Sequence, residues 1–482
     1  MHYIACDLGA ESGRVILGTV AAADRISLEE IHRFTNTPQR IHGSIHWNIA
    51  QLWSETQEGL RRAAQRCSHI AGISTASWGL DYVLLDAAAE LISPAYHYRD
   101  PRTSRGVETV RSKVSRKTIF AETGIQFMPM NTLYQLAAES PARLREAHQL
   151  LLIADAFNFL LSSVACAEES LASTTQLYNP RTKDWSSLLL DALDIRRRIL
   201  PKLVPSGTVL GPLRSTLDAG IRDANVIASC SHDTGAAVAG VPAQGTTWAY
   251  LSSGTWSLLG VELPAPVMTD RARKLNFTNE IGFGGTVRLL KNIVGLWIVQ
   301  ECKRSWTQDG QTCSYSSLTD AAAASAPFTS LINPADPRFL SPDDMPEKIA
   351  DYCRQSGQSP PARPGATIRC VLESLALLYR KTLLETEQLS GRGIDRLHIV
   401  GGGSQNVLLN QLTSNAIRRP VLAGPSEATA LGNIIVQAIA LGELPSLAAG
   451  RELIRHSVEI STFAPRDEKL WADAYARFLD LP

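Results

Sequence analysis

Residues 3–20, YIACDLGAESGRVILGTV, and residues 247–264, TWAYLSSGTWSLLGVELP, share one pattern: an apolar strand, a turn of small residues around glycine, and a second apolar strand. A single hairpin constrains a fold very little. Its return in the second half of a 482-residue chain predicts two related domains, and 44% hydrophobic against 20% charged residues is enough for each to bury a core.

The segments that follow each hairpin extend the pattern. In the first half SLEEIHRF reads as a third strand, and residues 48–67 as an amphipathic helix with Ile49, Leu52, Trp53, Thr56, Leu60 and Ala63 on one face. AGISTASWGLDYVLLD then supplies a strand, a turn at Gly79 and another strand, giving the order βββα followed by βα units. In the second half residues 366–391 predict a long helix, with Ile368, Val371, Leu375, Leu378 and Tyr379 on one stripe and Gly391 as its stop. The strand RLHIV at 396–400 runs directly into GGGSQN, and strand, glycine turn, helix is an order suited to nucleotide phosphates. The expected fold class is α/β in two domains, 1–243 and 244–482, parted near GVPAQGTT at 240–247. GQSPPARPG at 357–365 reads as a surface loop before the long helix. The most apolar stretch, LLLIADAFNFLLSSVACA at 150–167, is broken by Asp155 and Asn158 and is too short for a membrane span; it reads as a buried helix.

Charge and cysteine usage exclude several functions. Lys plus Arg and Asp plus Glu number 47 each, so there is no basic field to hold nucleic acid or an anionic membrane. The opening MHYIACDLGA has neither the charged nor the apolar region of a signal peptide, so a cytoplasmic protein is expected. The eight cysteines form no C-x-x-C pair and the ten histidines no H-E-x-x-H, so reduced core thiols and no zinc site are expected. His42 and His46 lie in HGSIH, which does not read as a helix and so does not aim both rings at one metal.

Two glycine hairpins and GGGSQN supply backbone N–H groups on segments without side-chain bulk, an arrangement that suits polyphosphate. Neither G-x-x-x-x-G-K-[ST] nor a helix-opening G-x-G-x-x-G occurs, so any nucleotide site is of another type. Taken alone, DLGAESG is equally a tight turn between core strands. Asp7, at the end of the first strand, suits a magnesium ion or the stabilisation of its own turn. Glu11 beside phosphate would be repulsive unless it points away or meets the metal. In VIASCSHDTGAAVAG an apolar strand ends at Ser231, His232, Asp233 and Thr234 before a small-residue helix. Asp233 stands where an N-cap would, and a helix N-terminus keeps a carboxylate ionised and ready to take a proton. His232 is the competing base by its near-neutral reference pKa, but phosphoryl transfer needs only a modest base, which favours Asp233.

Taken together, DLGAESGRV, STASWGLDYVLLD, TGIQFMPMNTLYQL, SHDTGAAV, YLSSGTWSL, LKNIVGLWIVQ and HIVGGGSQNVLLNQL resemble the sugar kinases of the FGGY family, in order over nearly the whole chain. The resemblance implies two domains of the actin, Hsp70 and hexokinase type (ribonuclease H-like), with ATP and sugar in the cleft between them. It implies ATP-dependent transfer to a primary hydroxyl of a ketose, O1 of L-rhamnulose first, with L-fuculose or xylulose as alternatives and a sugar-free actin-like ATPase as a distant one. By the same resemblance Asp233 is the base, and Trp78, Gly79, His232, Thr234 and Asn292 contact the sugar. Ala10, Glu11, Ser12, Gly13 and Arg14 form the first phosphate loop, Thr255 the second, Gln300 and Gly402 further nucleotide contacts, and Asp7 the contact to magnesium. The implied partners are small molecules, with monomer and homodimer both open.

Overall fold

The computed structural model describes residues 1–482 except 22, 23, 68, 218 and 222. The chain divides into two compact units. The first contains Met1–Pro242, Glu262–Leu289 and Ala428–Val458; the second contains Ala243–Val261, Leu290–Glu427 and Glu459–Pro482.

The first unit is built on a six-stranded sheet in the order Thr208–Pro212, Asn225–Ala228, Gly72–Ser77, His2–Leu8, Ser12–Ala21, Arg25–Thr35. The N-terminal hairpin is antiparallel, whereas Gly72–Ser77 lies parallel to His2–Leu8 and to Asn225–Ala228. Side chains alternate along a strand, and here both faces are apolar. Tyr3, Ala5, Ile16 and Val20 join a core with Leu431, Ile434, Ile435, Leu453 and Ile454, while Ile4, Cys6, Val15 and Leu17 join another with Leu60 and Ala63. The helix Ile49–Arg66 thus covers one face, starting at an Asn48 cap whose side chain accepts from the Gln51 N–H. The helices Ala428–Ala440 and Leu447–Ser457 bring their apolar residues to the other.

That second layer explains why compactness divides the chain differently from a single cut at 243/244. The apolar face of Ala428–Ala440 has its partner in the first hairpin, where Ile434 fills the space that a side chain at Gly18 would need. Backbone contact completes the attachment. A Cβ at Gly432 would strike the Ala236 carbonyl, and one at Gly240 would strike the Ala428 carbonyl. A further core, with Leu84, Val110, Leu133, Leu152, Leu171 and Leu189, lies within residues 82–203. The apolar stretch at 150–167 begins as a strand, Gln149–Leu152, and only then becomes the helix Ile153–Ser162.

In the second unit Trp248–Ser253 pairs antiparallel with Trp256–Leu263 and parallel with Arg396–Val400, which continues parallel to Val421–Ala423 and then antiparallel to Ser461–Phe463. The hairpin with a parallel strand beside its first arm is therefore present in both units. The long helix Pro364–Ser390 begins with proline in its first turn and ends at Gly391, whose φ of 66° is the left-handed conformation that closes a helix without steric cost. Its Tyr379 hydroxyl meets Ser257 Oγ at 2.7 Å, tying the helix to the hairpin.

Candidate active site

Three adjacent strands of the first unit bring most of the sequence-derived residues of that unit to one sheet edge. His2–Leu8 leads into the first turn, Gly72–Ser77 into Trp78 and Gly79, and Asn225–Ala228 towards His232 and Asp233. The Trp78 N–H donates to the Leu8 carbonyl at 3.2 Å and the Ser77 N–H to that of Ser231 at 2.9 Å, so the exits of the three strands are tied together. The carboxyl edge of a parallel sheet is where α/β proteins commonly bind ligands.

Asp7 is buried, and its Oδ2 accepts from Arg14 Nη2 at 2.5 Å across the hairpin register. The turn between them is held from outside: Asn36 donates through Nδ2 to the Gly9 carbonyl at 2.9 Å and through its backbone N–H to the Glu11 carbonyl at 3.0 Å. Ala10 and Ser12 are half-buried and Glu11 is exposed. The two glycines serve this packing. A Cβ at Gly13 would enter the Phe34 ring, and one at Gly9 would come 2.9 Å from the Ser12 carbonyl. Packing alone therefore requires glycine at both positions, since protein atoms fill the space each leaves.

The turn after Gly72–Ser77 rests on a carboxylate that sequence reasoning passed over. Asp81, 1% exposed, accepts from the indole N–H of Trp47 at 2.5 Å, the indole N–H of Trp78 at 3.0 Å, the Tyr98 backbone N–H at 3.1 Å and Gln135 Nε2 at 2.7 Å. Burial pushes its pKa up to about 6, against those four donors. Trp47 and Trp78 lie 4.3 Å apart between ring centroids, with His97 4.2 Å beyond Trp47. Gly79 is closely packed: a Cβ there would come 3.0 Å from Thr174 Oγ1. Leu80 carries the strain, at φ 79°, with its carbonyl held by Thr132 Oγ1 at 2.5 Å.

Asp233 opens the helix Asp233–Ala239, but the cap position belongs to His232, so Asp233 is the first helical residue and not the N-cap. Its Oδ1 accepts from the Thr234 N–H at 2.5 Å and lies 3.1 Å from Thr234 Oγ1. About a third of the Asp233 side chain, 32%, remains open. Its pKa is raised, first by burial and further by the negative charge of Asp7, while His232 and the Thr234 donors act in the opposite sense. The segment leading into it is fixed by Glu168, fully buried, which accepts from the Ser231 N–H at 3.0 Å, Ser170 Oγ at 2.5 Å and Ser206 Oγ at 2.5 Å. Ser170 Oγ in turn accepts from the His232 N–H at 3.2 Å. No motif in the sequence marks Glu168. Glu280 and Arg288 flank the His232 ring: Arg288 Nη2 lies 3.2 Å from Nδ1 and 3.2 Å from Glu280 Oε2, and Nδ1 lies 3.4 Å from that oxygen. Burial alone would raise Glu280, but Arg288 and His232 outweigh it and hold its pKa below the usual value. The one signal for Arg288 is a charge inside the otherwise apolar start of VRLLKNIV.

The second unit holds Thr255, Asn292, Gln300 and Gly402. The Gly254–Thr255 turn is clamped by the segment that follows Asn292: Leu296 N–H donates to the Gly254 carbonyl at 3.0 Å, and Gly295 and Trp297 N–H groups donate to the Thr255 carbonyl at 3.2 and 3.1 Å. Gln300 lies in the first turn of the helix Trp297–Gln308, and its Oε1 is buried without a hydrogen-bond partner among the described residues. The GGG segment divides its labour. Gly401, at φ 81°, and Gly403 pack on Ser253, whereas a Cβ at Gly402 would meet nothing within 4 Å. The glycine singled out in the sequence is the one with open space above it.

Similarity to known proteins agrees with this geometry. Residues 2–240 match the N-terminal domain of the FGGY family of carbohydrate kinases and residues 249–441 its C-terminal domain. The chain is 43% identical over 482 residues to a rhamnulokinase of Bacteroides thetaiotaomicron, covering 99% of this chain and 98% of that one. It is 43% identical over 481 residues to a rhamnulokinase of Pectobacterium carotovorum, covering 99% and 96%, and 37% identical over 469 residues to one of Bacillus subtilis, covering 97% and 96%. Among solved structures, a ligand-bound xylulose kinase from Lactobacillus acidophilus superposes with a TM-score of 0.83 at 16% identity over 99% of this chain and 97% of that one. A glycerol kinase from Plasmodium falciparum with ADP does so with a TM-score of 0.79 at 14% identity over 99% and 97%. These structural likenesses establish an α/β fold of the two-domain, actin-like type. Matched over both of its domains and across nearly its full length, the chain belongs to the FGGY family of carbohydrate kinases.

Proposed function

We propose that the protein transfers the γ-phosphoryl group of ATP to the O1 hydroxyl of L-rhamnulose, giving L-rhamnulose 1-phosphate and ADP. The reading rests on identity with proteins named rhamnulokinase over 94 to 99% of the chain, together with a half-buried carboxylate, Asp233, at the head of a helix beside Asp7. In this reading the sugar oxygen attacks the γ-phosphorus, the bond to the β-phosphate oxygen breaks, and Asp233 accepts the hydroxyl proton. His232, Thr234, Trp78, Gly79 and Asn292 orient the sugar. The Ala10–Arg14 turn and Thr255 face phosphates, while Gln300 and Gly402 contact the rest of the nucleotide.

The residues present fit a nucleotide-borne magnesium ion. Asp7 offers a hard oxygen donor, and its repulsion of Asp233 marks a pair of carboxylates that a divalent cation would relieve. Asp7 would hold the ion, which supplies neutralisation of phosphate charge. Arg14, already on Asp7 Oδ2, fixes the orientation of that carboxylate. Use of ATP fits the expected cytoplasmic setting, with monomer and homodimer both open.

ADP release measured with a coupled assay across L-rhamnulose, L-fuculose and D-xylulose tests the substrate. The expected result is the highest kcat/KM with L-rhamnulose; a higher value with either other ketose overturns the assignment.

A further inference from the structure

Arg288 is a guanidinium with no exposed surface, an environment that is costly unless every donor is satisfied. It is not fully satisfied. Nε and Nη2 both reach the Ile281 carbonyl at 3.2 Å, Nη2 faces Glu280 and His232, and Nη1 has no hydrogen-bond partner among the described residues. The acid and the base stand eight positions apart on the strands Thr278–Ile281 and Val287–Val294, whose connection is closed by the Gly282 N–H donating to the Thr286 carbonyl at 2.7 Å. As a device for stability this is an incomplete ion pair. Its evident product is the placement of the His232 ring.

The chemistry of that contact fixes a proton. A guanidinium has five N–H donors and no acceptor, so the 3.2 Å contact from Arg288 Nη2 to His232 Nδ1 requires a bare Nδ1. The neutral ring then carries its proton on Nε2, the nitrogen that lies 3.4 Å from Asp233 Oδ1. If the proton were on Nδ1 it would point at Glu280 Oε2, 3.4 Å away, and oppose the Arg288 N–H. We infer that Glu280 and Arg288 are positioning residues for phosphoryl transfer: they hold His232 as an Nε2–H donor facing the Asp233 carboxylate and the hydroxyl it deprotonates. The inference deepens the kinase reading and rests on it. It also separates the two candidate bases, because the lone pair of His232 faces away from Asp233, towards Arg288.

Two measurements test it. Nitrogen-15 NMR of the histidine side chains, with the His232 signals identified by their loss in His232→Gln, reads the tautomer in the wild-type protein whether or not it turns over. A proton on Nε2 is expected, and one on Nδ1 overturns the inference. The second is a double-mutant cycle with ATP and L-rhamnulose. Arg288→Met is expected to lower kcat about ten- to a hundredfold, the scale of a misplaced catalytic group, with KM for ATP unchanged. In the His232→Ala background the same substitution is expected to cost almost nothing further, because the two residues act as one unit. A full additional loss there would mean that Arg288 supports the fold and does not act through His232. Arg288→Lys, which keeps the charge and a donor, is expected to retain more kcat than Arg288→Met and serves the same cycle should the methionine variant fail to fold. Absence of ketose-dependent ADP release by the wild type would remove the kinase reading itself, and the NMR result would stand apart from that failure.

Discussion

At the scale of single residues, Asp233, the proposed base, is held in a state that costs stability. Its raised pKa means that the folded protein binds a proton there more tightly than the unfolded chain does, so the ionised form costs stability at neutral pH. The stability contribution of such a group is fully present below the unfolded-state pKa and is lost as pH rises through the folded-state value. Asp233→Asn is therefore expected to raise the thermal midpoint at neutral pH, with the gain disappearing in acid below the ordinary aspartate range; an unchanged or lowered midpoint at neutral pH would contradict this. The same substitution is expected to lower kcat by about two to four orders of magnitude, the range for loss of a general base, while leaving ATP binding by calorimetry within severalfold of wild type. Asp7→Ala is expected to weaken the magnesium dependence of turnover far more than ketose binding, as read from titrations of each. SHDTGAAV gave away Asp233 because strand end, acid and small-residue helix are contiguous. Asp81, Glu168 and Glu280 were not legible, since each also meets partners distant in sequence, such as Trp47 for Asp81, Ser206 for Glu168 and His232 for Glu280, and Arg288 showed only as a charge in an apolar run.

At the scale of elements, glycines that look alike in the sequence do different work. Gly432 lets Ala428–Ala440 touch the helix Asp233–Ala239 backbone to backbone, and a methyl there would strike the Ala236 carbonyl. Gly432→Ala is expected to destabilise the first unit by about 1–3 kcal/mol in denaturant titration, the usual cost of overpacking. Gly402→Ala meets open space and non-left-handed backbone, so its stability is expected to stay at the wild-type level while KM for ATP rises severalfold. A matching loss of stability in Gly402→Ala would show the position to be structural. A helix limit was readable where capping chemistry is local, as at Gly391. Another was misread at 150–152, where apolar residues alone do not separate a buried strand from a buried helix.

At the scale of the molecule, the repeated hairpin was the decisive sequence feature, because each copy seeds the same antiparallel and parallel pairing in its own unit. The exchange of segments between the units was invisible, because the helix Ala428–Ala440 finds its apolar partner in a strand more than four hundred residues earlier, where Gln437 Nε2 also donates to the Ile4 carbonyl. The central claim is the proposed one, that ATP gives up its phosphoryl group to a particular sugar oxygen. Phosphorus and carbon NMR of the product formed from ATP and L-rhamnulose tests that claim most directly. The expected spectrum shows a phosphomonoester coupled to C1 of the ketose in step with ADP formation. Inorganic phosphate released at the same rate with and without sugar, or phosphate at another carbon, would contradict it.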